Sequence, residues 1–308
     1  MASQFVYWTS DGGGGAGGAV AKVLAKWIRT NTSPSLIIYG GDVYENGTAS
    51  EFDQFRDQVG DLSLMCETAG NHDWETRHTT TATGTIPTAY EAFWTAHAPP
   101  ASQQPVFPAR KGGARYEHSK LMNGWRLIFL DTGPLGESSG WPFGDATRMD
   151  WLKQQLDSEN GRSKIVFAHH SRLSRGRHGG YRSLTALWEA LFDSAGQPRV
   201  AFTQAGHDHN VTLYKKRDRA HPEIPSAPGV DGIDVLVNGA GGDGHIGFGH
   251  GTQGQSPDVK DSVNYFVTEI ELIDNKRAKV RLLSFGSSPN SHTVPEEVPA
   301  FALTYDFS

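Results

Sequence analysis

The sequence predicts an α/β protein, and three observations carry that prediction. Apolar runs of strand length alternate with segments of helical periodicity through the first 70 residues. The last hundred residues are strand-like almost throughout. Four apolar runs end in small clusters of Asp, Asn or His: Gly41-Asp42, Gly70-Asn71-His72-Asp73, Ala168-His169-His170 and Gly206-His207-Asp208-His209-Asn210. Alternation of this kind builds a mainly parallel sheet flanked by helices, which gathers the carboxyl ends of its strands along one edge.

Taken in order, Phe5 to Trp8 forms the first strand. Val20, Val23, Leu24, Trp27 and Ile28 recur at i, i+3, i+4, i+7 and i+8 and line one face of a helix. Leu36-Ile37-Ile38-Tyr39 is a continuous apolar run, as a strand buried on both faces requires. A helix over 48–58 and a strand over 62–68 continue the rhythm. Residues 74–113 break it with a Thr-rich stretch, Pro99-Pro100 and Gly112-Gly113, and only 88–97 reads as a short helix. So long an excursion marks a functional or a disordered loop. Strands over 114–118 and 125–131, a helix over 147–157 and the strand Ile165-Val166-Phe167 follow. Ser183 is a natural N-cap for a helix over 183–193, whose apolar face is Leu184, Leu187, Trp188, Leu191 and Phe192. Strands over 200–203, 211–214, 233–238, 263–271 and 277–284 complete the chain. No repeat or linker divides it, so one domain over 1–308 is expected.

At 308 residues the chain can bury a sizeable core, and 20% charged against 37% hydrophobic residues is a globular composition. A net charge of −6 gives no general attraction to nucleic acid or anionic membrane, so neither is an expected partner. Cys66 is the only cysteine, which excludes an intrachain disulfide. No apolar stretch approaches the ~20 residues of a membrane-spanning helix. The opening Met1-Ala2-Ser3-Gln4 lacks a basic and then apolar leader. The expected location is cytoplasmic, or secreted or periplasmic if a leader has been removed.

The clusters at the strand ends have the chemistry of a metal centre. Imidazole is the commonest protein ligand for metals, and it binds in the neutral form available near pH 7. Asp42 can bridge two cations through its two oxygens. Asn71 offers a neutral amide oxygen, His72 a group that gives or takes a proton, and Asp73 an acid to orient His72. His169 and His170 are adjacent, so a strand points them to opposite faces and only one is expected on the metal. Arg172, Arg175, Arg177, His178 and Arg182 follow; guanidiniums there either clamp an anionic substrate or simply face solvent. His118, His245 and His250 read as structural or exposed. A competing reading attaches to Gly13, Gly15 and Gly18, which fit G-x-G-x-x-G between a strand and a helix, with Asp42 ending the second strand. It describes a non-catalytic dinucleotide- or anion-binding protein, and it leaves the Asn-His-Asp and His-Asp-His motifs without a role. On the metal reading Asp11 is a ligand, and the glycines let the backbone turn tightly beside a phosphate.

Together Asp11, Gly41-Asp42, Gly70-Asn71-His72-Asp73, Ala168-His169-His170 and Gly206-His207-Asp208-His209 resemble the five-motif signature of the calcineurin-like metallophosphoesterases. Within that superfamily the chain is most similar to the small purple acid phosphatases. Ser10-Asp11-Gly12-Gly13-Gly14 matches their first motif, His169 to His178-Gly179 has their spacing, and Gly239-Ala240-Gly241-Gly242 resembles their turn after the last ligand motif. The resemblance implies a four-layer α/β/β/α sandwich of two mixed sheets with helices outside. It implies a dinuclear centre of Fe, Mn or Zn: one ion on Asp11, Asp42 and His209, the other on Asp42, Asn71, His169 and His207. It further implies His72 near the leaving group, His178 on the phosphoryl group, and phosphomonoester hydrolysis by in-line attack of water activated at the metals. Asn71 and Arg175 or Arg177 would help hold the phosphoryl charge. The same centre also serves phosphodiesterases acting on cyclic nucleotides, nucleic acid or lipid head groups. One departure stands out: Tyr44, the further candidate ligand, lies two residues after Asp42 where the family's iron-binding tyrosine lies three after. Residues 74–113 have no counterpart in the motifs and are expected to shape substrate choice.

Overall fold

The computed structural model describes residues 2–12, 16–43, 47–73, 88–97, 117–132, 146–158, 161–245, 247–248 and 257–307. The opening strands follow the apolar runs. Strands β1 (Gln4–Thr9), β2 (Leu36–Tyr39) and β3 (Met65–Glu67) lie parallel and side by side, Val6 opposite Leu36 and Ile38 opposite Cys66. Helices α1 (Ala16–Asn31) and α2 (Ala49–Val59) connect them. Thr48 caps α2, with the Glu51 carboxylate accepting its backbone N–H at 2.9 Å. Helix α3 (Thr88–His97) is the described part of the 74–113 excursion.

The second half builds another sheet. Strands β4 (His118–Met122), β5 (Trp125–Leu130), β6 (Lys164–Ala168), β7 (Phe202–Ala205), β8 (Val211–Arg217), β9 (Ile233–Asn238) and β10 (Val259–Asp261) pair in the order β10-β8-β9-β7-β6-β5-β4, with helices α4 (Ala146–Asp157) and α5 (Thr185–Ala190) in the crossovers. Strands β5, β6, β7 and β9 are parallel. The chain then returns to the first sheet through β11 (Phe266–Leu272), β12 (Arg277–Ser284), β13 (Glu296–Glu297) and β14 (Leu303–Asp306). That sheet has the order β13-β12-β11-β1-β2-β3, with β14 paired to β12.

Alternation along the strands sorts the side chains into layers. Val6, Trp8 and Ile38 face Phe129, Phe167, Phe202 and Leu236 between the two sheets. Tyr7 and Ile37 turn outward onto Leu24 and Ile28 of α1 and Phe52 and Phe55 of α2. Val166 and Val235 turn outward onto Leu152 of α4 and Leu187 and Trp188 of α5. The result is the expected α/β/β/α sandwich. No described helix is long and apolar enough to cross a membrane.

The structure corrects several boundaries. Strand β4 begins at His118, and residues 114–116 of the strand expected over 114–118 lie outside the described residues. Asn123-Gly124 forms a two-residue hairpin turn with both φ positive, 47° and 83°. That turn sets the register His118 opposite Phe129. Ser183 caps no helix; it sits within a 3₁₀ turn, Arg182–Leu184, that leads into the short α5. Strand β7 lies two residues later than expected, and β10, β13 and β14 carry too little apolar pattern to have been expected at all. His118 is fully buried and stacked on Phe129, and His245 packs against Tyr265, both in structural roles. His250 and Tyr44 lie outside the described residues.

Candidate metal centre

Every ligand-type cluster follows a parallel strand: Asp11 after β1, Asp42 after β2, Asn71 to Asp73 after β3, His169 and His170 after β6, His207 to His209 after β7. The two sheets therefore bring these turns to one edge, where open α/β sheets bind ligands. The turns are tight. Asp11, Asp42 and His207 have positive φ of 57°, 54° and 68°, a conformation that costs a non-glycine residue about 1–3 kcal/mol and clusters at functional sites. Gly41, at φ 91°, must lack a Cβ because one would collide with the backbone of Gly70 and the ring of His169.

The side chains converge. His169 Nε2 lies 3.1 Å from Asp42 Oδ2 and 3.2 Å from His207 Nδ1. Asp11, Asp42 and His169 each place a ligand atom within 4.8 Å of the others. His209 Nε2 stands 3.7 Å from Asp11 Oδ1, and His72 Nε2 stands 3.9 Å from Asp42 Oδ2. Each carboxylate is anchored by one oxygen. Asp11 Oδ2 accepts the Ser10 hydroxyl and the His207 backbone N–H, and Asp42 Oδ1 accepts the His72 backbone N–H.

The imidazoles follow a similar rule: each has one nitrogen bound to protein, and the other is turned to a carboxylate in His169 and His209 and to the His169 ring in His207. His169 Nδ1 bonds the Gly40 carbonyl at 2.8 Å, His209 Nδ1 the Gly244 carbonyl at 3.0 Å, and His207 Nε2 the Tyr181 hydroxyl at 2.7 Å. Outer partners of this kind fix the orientation of metal-binding rings. Asp11 Oδ1, in the cluster, and Asn71 Oδ1, in the adjoining turn after β3, are buried without a hydrogen-bond partner among the described residues. A buried acceptor left unsatisfied costs about 1–3 kcal/mol, which a cation would relieve. Carboxylate, amide oxygen and imidazole are a donor set for manganese, iron or zinc rather than for a thiolate-seeking metal. The residues fit a pair of such ions.

Burial and the neighbouring charges sort the protonation states. Burial pushes the Asp11 carboxyl up to about 6, against the pull of His169 and His209. Burial would also raise Asp42, but His169 and His72 beside it outweigh that and hold it well below the usual carboxylate range. Burial disfavours the charged form of His169, yet Asp42 and Asp11 together lift it to about 10. His170 and His207 are buried among other imidazoles and held well below the ordinary histidine value.

Of the adjacent pair it is His169 that faces the carboxylates. His170 is buried with Nδ1 on the Thr132 hydroxyl and its ring 4.3 Å from that of His207. His178 is exposed, its ring 4.6 Å from His207 and 6.2 Å from His209. Asp73 has a different part from the one expected. Its oxygens accept the backbone N–H groups of Gly70, Asp42 and Val43 at 2.8–2.9 Å, so it ties the β2 and β3 turns together rather than orienting the His72 ring. Arg172 pairs with Glu223, Arg177 is exposed, and half-buried Arg175 lies in the field of Tyr214. Gly18 admits Gln58 of α2, a packing role, and Gly13 and Gly15 lie outside the described residues.

Two participants carry no signal of their own in the sequence. Tyr181 is an ordinary tyrosine three residues after His178. Asp243 extends the Gly239–Gly242 turn; its backbone N–H reaches the Asp11 carbonyl at 2.8 Å and its carboxylate lies 3.4 Å from His209 Nδ1.

Comparison with known proteins agrees with this geometry. A family model described as calcineurin-like phosphoesterase matches residues 9–211, roughly two thirds of the chain. Over 196 residues the chain is 24% identical to a 3′,5′-cyclic adenosine monophosphate phosphodiesterase of Pseudomonas aeruginosa, covering 62% of this chain and 60% of that protein. Over 139 residues it is 27% identical to a probable cyclic nucleotide phosphodiesterase of Synechococcus, covering 45% of this chain and 43% of that one. The matches thus span only about half the length of these relatives. Among solved structures, a purple acid phosphatase from yellow lupin, Lupinus luteus, superposes with a TM-score of 0.66 at 17% identity, covering 99% of this chain and 54% of that one.

Proposed function

The chain belongs to the calcineurin-like phosphoesterase family, and on that premise we propose that it hydrolyses small-molecule phosphomonoesters at a two-cation centre. The observation that carries the reading is the convergence of Asp11, Asp42, His169 and His207, with unpaired buried oxygens on Asp11 and on Asn71 of the adjoining turn. Asp11, Asp42 and His209 would hold one ion, and Asp42, Asn71, His169 and His207 the other. When bound, the ions supply Lewis-acid polarisation of the phosphoryl oxygens and of the attacking water.

The chain's own residues do the rest. Asp42, fixed through Oδ1 to the His72 amide, keeps Oδ2 toward His169. His72 stands at the open side of Asp42, its side chain 18% exposed, and hands a proton to the departing oxygen. Asn71 and His178 bind the non-bridging phosphoryl oxygens and favour the in-line geometry as charge builds on them. The monoester preference is supported by the likeness of the Ser10-Asp11-Gly12 and His169-to-His178 segments to small purple acid phosphatases.

A second reading, hydrolysis of a cyclic nucleotide diester, is favoured by the names of the two sequence relatives. The purified, manganese-loaded protein assayed with p-nitrophenyl phosphate, its bis-ester and 3′,5′-cyclic AMP separates the two. Faster release from the monoester is expected, and faster turnover of either diester would select the second reading. Activity that survives Asp42→Ala would overturn both.

A further inference from the structure

We infer that Asp208, the residue between the two histidines of the last ligand turn, is a positioning residue that holds His178 in place. The inference rests on the proposed contact of His178 with the phosphoryl group. Asp208 is 1% exposed. Its Oδ1 accepts the backbone N–H of His178 at 3.0 Å, and its Oδ2 accepts the Ser174 hydroxyl. Gly176, between those two residues, lies so close that a Cβ there would collide with the Asp208 carboxyl. The Gly176 N–H in turn points to Ser174 Oγ at 3.3 Å, and Tyr181 closes the loop with its N–H on the Ser171 carbonyl at 2.9 Å. Residues 171–181 are thus wrapped around one buried carboxylate.

That wrapping matters because the His178 side chain is exposed, so core packing does not place it. What does is a charge-assisted bond at its own backbone, of the strong kind. Asp208 is flanked in sequence by His207 and His209, whose rings lie 4.6 and 6.2 Å from that of His178. The turn that presents two metal ligands and the loop that presents the anion-binding histidine therefore share a single anchor. Nothing in the sequence announces this, since the spacing that picks out the two histidines says nothing of the residue between them.

The test uses the manganese-loaded full chain, with inorganic phosphate as a competitive inhibitor of p-nitrophenyl phosphate hydrolysis and metal content measured in parallel. His178→Ala and Asp208→Ala should each weaken phosphate inhibition about tenfold, which is 1.4 kcal/mol. The double variant should lose no more than either alone, because the two act through one group. Asp208→Asn can still accept the His178 N–H and give its amide to Ser174 Oγ, and should stay within about threefold of the parent. Metal content should be unchanged throughout. Losses that multiply in the double variant, with His178→Ala itself impaired, would overturn this inference and leave the role of His178 standing. So would loss of metal from Asp208→Ala. Phosphate inhibition unaffected by His178→Ala would remove the role of His178 and the inference with it. Should Asp208→Ala fail to fold, Ser174→Ala, which cuts the other tether, enters the same cycle.

Discussion

Loading the metal-free protein should expel a proton from His169, and the structure gives the size of the effect. His169 Nε2 sits 3.1 Å from Asp42 Oδ2, and Asp42 with Asp11 lifts the ring to about 10 despite its burial. At pH 7.5 the metal-free ring is therefore protonated, by roughly 2.5 pH units, and freeing Nε2 for a cation costs about 3 kcal/mol at 1.36 kcal/mol per unit. Asp42 is ionised at any working pH, and Asp11, at about 6, adds a second proton only in more acid solution. Affinity for Mn²⁺ should then rise about tenfold per unit from pH 7 to 9, and more steeply below 6. Isothermal titration of the chelated protein at pH 7.5, in two buffers of different ionisation heat, counts the protons. One or more released per chain is expected, and none released, with affinity flat from pH 7 to 9, would refute the reasoning. The same sign governs stability. Because the folded value is raised above the ordinary 6.5, the stabilisation is present below 6.5 and lost as pH rises through about 10. The chelated protein should therefore melt at progressively lower temperature between pH 7 and 10, which a thermal-melt series reads directly.

Three substitutions extend the account. His72→Ala should slow hydrolysis of an alkyl monoester about 10²–10⁴-fold while p-nitrophenyl phosphate, whose leaving group needs little protonation, suffers far less; equal losses would remove its part as general acid. Tyr181→Phe deletes the hydroxyl on His207 Nε2 and should weaken metal binding about 10–100-fold without unfolding the chain, read by chelator competition alongside a thermal melt. Gly70→Ala sets a Cβ against the Asp42 carboxyl and backbone, and should leave a folded protein that elemental analysis finds depleted of metal.

Much of this was legible in the sequence, for a physical reason. Parallel strands buried on both faces, such as Leu36-Ile37-Ile38-Tyr39 and Ile165-Val166-Phe167, announce themselves as apolar runs, and the residues just past their ends must share an edge. Asp42, Asn71, His169 and His207 could be picked out by type and position alone. What stayed hidden depends on which group meets which across the fold. Asp73 was expected at the His72 ring and instead gathers three backbone amides, a partnership of turns that spacing does not encode. Tyr181, Asp208 and Asp243 act through hydrogen bonds and close contacts to residues distant in the chain, and no pattern in the sequence requires them. The Asn123-Gly124 turn is the opposite case: its hairpin signal stands in the sequence, and it sets the register of β4 against β5.

Two cations sharing Asp42 are the core of the proposed centre. Anomalous diffraction from crystals grown with manganese measures this directly. Two peaks are expected, one touched by Asp11 and His209, the other by Asn71, His169 and His207, with Asp42 between them. No peak at this edge of the sheets, or peaks that Asp42 does not touch, would contradict it.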